Sequence, residues 1–128
     1  MDVQHIHLLV CTSHLVNVMV AGAFGVLLFR NLVENFPPVS ARLEAVYGTD
    51  APARRILACV YLAIALMSVA CLASAEVLYA VSAPLFVMQI VYKVLTSASV
   101  GTLKHPVVVA NLLISVLHAV SVYFLITT

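Results

Sequence analysis

The last apolar run of the chain, from Val107 to Ile126, contains polar residues at a spacing that a helix would place on one face. Asn111, Ser115 and His118 follow the i, i+4, i+7 pattern of such a face. Polar side chains at membrane depth usually face a bundle interior or a cavity, and an ionisable group there is a functional candidate. The pattern predicts one wall of a polar interior, with amide, hydroxyl and imidazole groups available to a ligand or a proton.

Two other apolar runs carry polar residues of the same kind. The first run contains His14, with Asn17 beside it. In the third run, Gln89 lies more than two turns from either end, so we expect an interhelical hydrogen bond worth about 0.6–2 kcal/mol. Lys93 lies nearer the end of that run, where a long side chain can extend to the interface. The three faces together predict an intramembrane polar site formed by Asn17, Tyr79, Ser82, Gln89, Lys93, Asn111 and Ser115.

His14 and His118 are the candidate cofactor ligands. In an up-and-down bundle they lie roughly 10 and 12 Å below the same membrane surface, at the helical rise per residue. Paired histidines on facing membrane helices resemble the bis-imidazole haem sites of membrane b-type cytochromes, and that resemblance implies haem b. Two alternatives stay open: the imidazoles form hydrogen bonds across the bundle, or they belong to a proton or substrate site. No separate metal site is predicted.

The composition defines the class of protein. The 128 residues are 64% hydrophobic and 9% charged, against about 45–50% and about 25% in soluble domains. Four apolar runs approach the ~20 residues needed to cross a bilayer. We therefore expect an all-α, polytopic membrane protein, a four-transmembrane-helix bundle in one transmembrane domain over residues 1–128. The predicted helices occupy residues 7–29, 55–75, 77–97 and 106–126, with a loop at 30–54.

The first loop and the second run have their own patterns. Val39, Leu43 and Tyr47 fall on one side of a short helical segment after two prolines, which predicts an interfacial helix. The second run is rich in Ala, Leu and Val, and we expect it to pack toward lipid or a partner subunit.

The basic residues predict an orientation. Arg30, Arg42, Arg54 and Arg55 precede the second helix, and Lys104 lies between the third and fourth. Both loops are therefore expected in the cytoplasm, with both termini outside. This distribution is typical of a bacterial inner-membrane protein, and an organelle membrane is the alternative. The net charge of +1 gives no reason to expect a nucleic-acid partner.

Residues 30–37 resemble the Arg/Asn…Glu-Asn-x-Pro stretch that follows the first helix of the four-helix membrane enzymes of eicosanoid and glutathione metabolism. That resemblance implies a glutathione site between subunits, with Arg30, Asn31 and Glu34 in the matching positions. In that family the stretch continues into the second membrane helix, whereas here a long charged loop follows. The resemblance covers residues 30–37 alone.

Two classes of function follow from these patterns. The first is an accessory or assembly subunit of a larger membrane complex, with other membrane subunits or further copies of the chain as partners. The second is a membrane protein that binds haem b or a small ligand around His14 and His118. A small enzyme or transporter is a lesser alternative, because the acidic residues fall in loops or at helix ends rather than at membrane depth.

Overall fold

A computed structural model describes residues 2–35 and 37–127 and confirms the predicted all-α fold with four long apolar helices. Phe36, within the stretch that resembles the glutathione enzymes, lies outside the described residues. The helices are α1 (Val3–Phe29), α2 (Pro37–Tyr47), α3 (Pro52–Ala73), α4 (Ala75–Val100) and α5 (Pro106–Thr127), with a 3-10 turn at Leu32–Asn35.

Capping residues explain why three helices begin before their predicted starts. The Asp2 side chain accepts a hydrogen bond from the backbone N–H of His5, so α1 begins at Val3 rather than near residue 7. Pro52 occupies the first turn of α3, a position that needs no N–H donor. Ser74 accepts a bond from the N–H of Val77 and is the one residue between α3 and α4.

The four long helices pack in a closed ring in the order α1, α3, α4 and α5. At one end, an imidazole nitrogen of His105 lies 3.0 Å from the carbonyl oxygen of Arg42 and joins the two basic loops. At the other end, Ile6 and Val10 of α1 pack with Cys71 and Leu78 beside the α3–α4 turn. The loops that carry the basic residues therefore share one end of the bundle.

Two contacts fix the register between the antiparallel helices α4 and α5. Lys93 donates a hydrogen bond to Asn111, and the ring of Phe86 stacks on His118. Because both pairs belong to the same antiparallel register, Gln89 lies level with Ser115. The polar faces predicted for these two helices therefore meet along their common interface.

The second membrane helix, which we expected to pack toward lipid or a partner subunit, also has a face that is buried inside the bundle. Ala58, Tyr61, Ala65, Ser68 and Cys71 of α3 are all buried. These mostly small residues recur at helical spacing and allow α3 to lie close along α1. The high mean hydropathy of this run gave no indication of an inward face.

We predict opposite effects for two glycines of α1 where it meets α3. A Cβ at Gly25 would lie 2.8 Å from side-chain atoms of Leu62 and 3.2 Å from its backbone nitrogen. Gly25→Ala is therefore expected to lower the free energy of unfolding by about 1–3 kcal/mol through overpacking. A Cβ at Gly22 would lie at an ordinary 3.6 Å from Cβ of Ala65. Gly22→Ala should be neutral, or stabilising by up to about 1 kcal/mol.

Unfolding of both variants in mixed detergent micelles, followed by circular dichroism, measures the difference. Equal effects of the two alanines would contradict the close approach at Gly25.

Candidate binding site in the bundle interior

The His14 network, which comprises His14, Asn17, Ser68, Ser82 and His118, joins all four long helices. The two ring nitrogens of His14 lie 3.1 Å from the Ser68 hydroxyl and 2.7 Å from the Ser82 hydroxyl. Asn17 donates to Ser68 at 3.2 Å, and its carbonyl oxygen lies 3.1 Å from Nε2 of His118. All five side chains are buried.

The donor and the acceptor in each hydrogen bond of His14 can be assigned from the other bonds that its partners make. Ser82 donates to the carbonyl oxygen of Leu78, so its oxygen accepts from Nε2–H of His14. Ser68 accepts from Asn17 and donates to Nδ1 of His14. Both nitrogens of this imidazole are thereby used to hold α1, α3 and α4 together. His14 is a structural connection in this arrangement, with no nitrogen left for a ligand.

Phe86 decides whether the two histidines fit a haem. Its ring centroid lies 4.6 Å from that of His14 and 4.5 Å from that of His118, and it is nearly parallel to the latter. Bis-histidine ligation needs one free nitrogen on each imidazole directed at the iron. Both nitrogens of His14 are bonded, to Ser68 and Ser82, and Nε2 of His118 bonds Asn17, so only Nδ1 of His118 is unpaired within the described residues. An aromatic ring also covers both imidazoles. These residues do not fit a haem held between His14 and His118.

The Lys93 site, which comprises Gln89, Tyr92, Lys93 and Asn111, lies toward the basic end of the bundle. The ammonium nitrogen of Lys93 is 3.3 Å from the Asn111 carbonyl oxygen and 5.0 Å from the centre of the Tyr92 ring. The side chain is buried inside the bundle instead of extending to the interface. None of the ion pairs formed within residues 2–35 and 37–127 includes Lys93.

Several polar atoms around Lys93 lack a hydrogen-bond partner within the described part of the chain. They are the amide nitrogen and the amide oxygen of Gln89, the amide nitrogen of Asn111 and the hydroxyl of Tyr92. Nδ1 of His118, farther along α5, also lacks a hydrogen-bond partner within the described residues. Buried polar atoms are normally paired, so a group of unpaired ones indicates a place where water or a ligand binds.

A small cavity adjoins Tyr92, Lys93 and Asn111. Its volume is about 30 Å³, which is room for about two water molecules. Lys93 and Asn111 line one side, and the aromatic rings of Tyr47, Tyr61 and Tyr92 line another. The Tyr47 and Tyr61 hydroxyls are 3.3 Å apart. Burial raises the pKa of Tyr47, so its phenol stays a neutral hydrogen-bond donor.

The structure separates the predicted polar residues into three groups. His14, Asn17, Ser82 and His118 meet in the His14 network, whereas Gln89, Lys93, Asn111 and Ser115 lie along the α4–α5 interface. Tyr79 lies apart, because its side chain is 47% exposed and its hydroxyl pairs with His7 at 3.1 Å.

The sequence reasoning missed the contribution of α3 and of the tyrosines. Ser68 shares one helical face with Tyr61 and Cys71, and this spacing was the available signal. Tyr92 is adjacent to Lys93 in the sequence and lies off the polar face of α4. The helical pattern therefore does not predict that its side chain lines the cavity beside Lys93.

The fold and this interior define a polytopic α-helical membrane protein with a buried polar site. Comparison of the chain with protein-family models, with curated proteins and with solved structures finds no match. The resemblance of residues 30–37 to the glutathione enzymes therefore stays a local likeness, and those residues lead into the short helix α2 rather than into a membrane helix.

We predict that Asn17→Ala lowers the free energy of unfolding by about 1–2 kcal/mol, because Ser68 and Nε2 of His118 each lose a partner in the interior. Thr12→Ala is the control on the same helix. Its hydroxyl is exposed and bonds only the Leu8 carbonyl of its own helix, so we expect less than about 0.5 kcal/mol. The same micelle titration measures both variants, and an equal loss would mean that the network adds nothing to stability.

We also predict that protein purified from a haem-replete host shows no Soret band that depends on His118. The visible spectra of the wild type and of His118→Ala test this expectation. A band present in the first and lost in the second would require Phe86 to leave the imidazoles and would restore the haem hypothesis.

Proposed function

We propose that this protein is an integral membrane protein that binds a small anionic ligand at the Lys93 site. The observation that carries the proposal is a buried lysine that forms no ion pair with any carboxylate of residues 2–35 and 37–127, beside polar atoms that lack a hydrogen-bond partner within the same residues. The proposal keeps the predicted class of a ligand-binding membrane protein. It places the ligand at Gln89, Tyr92, Lys93 and Asn111 rather than between His14 and His118.

The chemistry of the lysine supports an anion. An ammonium group has three donors, and Asn111 accepts one of them. An uncompensated charge in a low-dielectric interior costs several kcal/mol, and charged residues at membrane depth usually mark functional sites. A bound anion would supply the missing countercharge. It would also accept a hydrogen bond from the amide nitrogen of Asn111, which lines the cavity.

The size of the cavity supports a carboxylate. Its volume of about 30 Å³ is room for about two water molecules, which favours a small anionic group such as a carboxylate. The apolar lining from Val20, Ala21 and Phe24 on α1 would exclude bulk water around the bound group. Exclusion of water strengthens the attraction between the ammonium and the anion.

The distribution of basic residues supports an orientation with both termini outside and both loops in the cytoplasm, in a bacterial inner membrane or an organelle membrane. In that orientation Lys93, seven residues before the end of α4 at Val100, lies roughly 10 Å from the cytoplasmic end of its helix. The ligand would then be held in the cytoplasmic half of the bilayer.

A role as an accessory or assembly subunit, with other membrane subunits or further copies of the chain, stays a prediction alongside this proposal. It concerns the lipid-facing surfaces rather than the interior, so the two are compatible. Purification from the native membrane in a mild detergent tests it. A chain that migrates only as a free monomer would contradict it.

We predict that sodium acetate raises the melting temperature of the purified protein and that acetamide, its neutral isostere, does not. Binding to the folded state adds about 2.7 kcal/mol when the ligand is at one hundred times its Kd. Lys93→Met should abolish the rise, since it replaces the ammonium with an apolar side chain of similar length that a bundle interior accepts well. Lys104→Met, at the exposed loop lysine, should retain it.

Thermal unfolding of the three proteins in one detergent measures the effect. A rise of equal size in all three, or one of equal size with acetate and acetamide, would overturn the proposed site.

A further inference from the structure

A groove of about 680 Å³ lies between α2, α3 and α4 on the outside of the bundle. Its walls are mainly apolar, and some of its side chains are well exposed, including Leu95 at 60%. The volume falls within the range of about 300–1,000 Å³ found for small-molecule sites. The groove is lined by Ala45, Val46 and Tyr47 of α2, by Leu57, Val60 and Tyr61 of α3, and by Met88, Tyr92, Leu95, Thr96, Ser99 and Val100 of α4.

Three tyrosines separate this groove from the Lys93 cavity. Tyr47, Tyr61 and Tyr92 line both spaces, so their rings form the wall between them. The ring centroids of Tyr47 and Tyr61 are 6.2 Å apart, as are those of Tyr61 and Tyr92. Tyr47 is the last residue of α2, and Gly48 follows it with a φ of +74°. A ligand that reaches from the groove to Lys93 would have to displace these rings.

We propose that the groove and the Lys93 site form a single site for a long-chain carboxylate that enters from the bilayer. This inference builds on the anion site proposed above and names its ligand class. The carboxylate lies at Lys93 and Asn111, and the hydrocarbon chain passes the tyrosines and lies in the groove. The apolar walls of the groove supply the hydrophobic contacts that the hydrocarbon chain made with lipid before it bound.

Charge and size favour this ligand over a phospholipid. The nearby cations of α3 already have partners: Arg55 forms two hydrogen bonds with Asp50, and Arg54 bonds Asn31 and the carbonyl of Gly48. Neither arginine is among the residues that line the groove, so neither is positioned there for a phosphate. The cavity beside Lys93 has room for about two water-sized atoms, which suits a carboxylate and not a phosphodiester.

The chain contains no tryptophan, so a single introduced one gives an unambiguous fluorescence signal. Val91→Trp places it on α4 between Met88 and Leu95, beside the groove and outside its lining. Leu113→Trp is the matched control. The α4–α5 register places Leu113 at the depth of Val91, and its side chain is 67% exposed on α5.

The probe is stearate brominated at mid-chain, added to the full chain in phosphatidylcholine vesicles. We expect saturable quenching of Val91→Trp with a midpoint at least about tenfold below the concentration that quenches Leu113→Trp by partitioning. Lys93→Met in the Val91→Trp background should remove the saturable phase, whereas Lys93→Arg, which keeps the charge, should retain it. Helical content from circular dichroism verifies that each variant is folded.

Three outcomes would overturn the inference. They are equal quenching of the two tryptophans, a saturable phase that survives Lys93→Met, and selective quenching of Val91→Trp by brominated phosphatidylcholine, which would make the groove a phospholipid site. If acetate shifts the melting temperature through Lys93 but the two tryptophans are quenched equally, the anion site stands and the long-chain ligand falls. If neither effect is seen, both proposals fail.

Discussion

The hydrogen bonds of His14 are the interaction on which the rest of this bundle depends. In lipid, apolar side chains gain little by leaving acyl chains for one another, so hydrogen bonds and close packing decide which helices associate. His14 bonds Ser68 of α3 and Ser82 of α4, and Asn17, one turn later, extends the network to His118 of α5. One turn of α1 thus specifies all three of its partners, and it brings the polar faces of α4 and α5 into the interior.

The two polar regions of the interior differ in how completely their hydrogen bonds are formed. Both ring nitrogens of His14 have partners, and in its network only Nδ1 of His118 lacks one within the described residues. Around Lys93, by contrast, both polar side-chain atoms of Gln89 and the amide nitrogen of Asn111 have no hydrogen-bond partner in the same part of the chain. Low dielectric makes complete networks rigid and incomplete ones costly, so the incomplete region is where binding free energy can be gained. Residues of the same chemical types thereby divide into a group whose hydrogen bonds connect the helices and a group that we propose binds a ligand.

Helical spacing predicted much of this arrangement. The four long helices, the short helix after Pro37 and the inward faces of α4 and α5 all follow from apolar run length and from polar residues three or four apart. The hydrogen-bond partner of each polar group could not be predicted in this way. The spacing of residues within one helix does not determine how that helix is rotated about its axis relative to its neighbours. The depth match of His14 and His118 was compatible with a haem until Phe86 was placed against both rings. The role of α3 was hidden because its inward face consists mostly of small residues, which average hydropathy does not distinguish from a lipid-facing surface.

The turn at Ser74 has a consequence for biogenesis. With a single residue between them, α3 and α4 form a tight antiparallel hairpin, and this connection favours insertion of the two helices into the bilayer as a unit. In the proposed orientation the tip of this hairpin is translocated across the membrane and takes Glu76 with it. Acidic residues contribute little to topology, whereas lysine and arginine are retained on the cytoplasmic side. A tip with Glu76 as its ionic group is therefore one that the insertion machinery can carry across the bilayer.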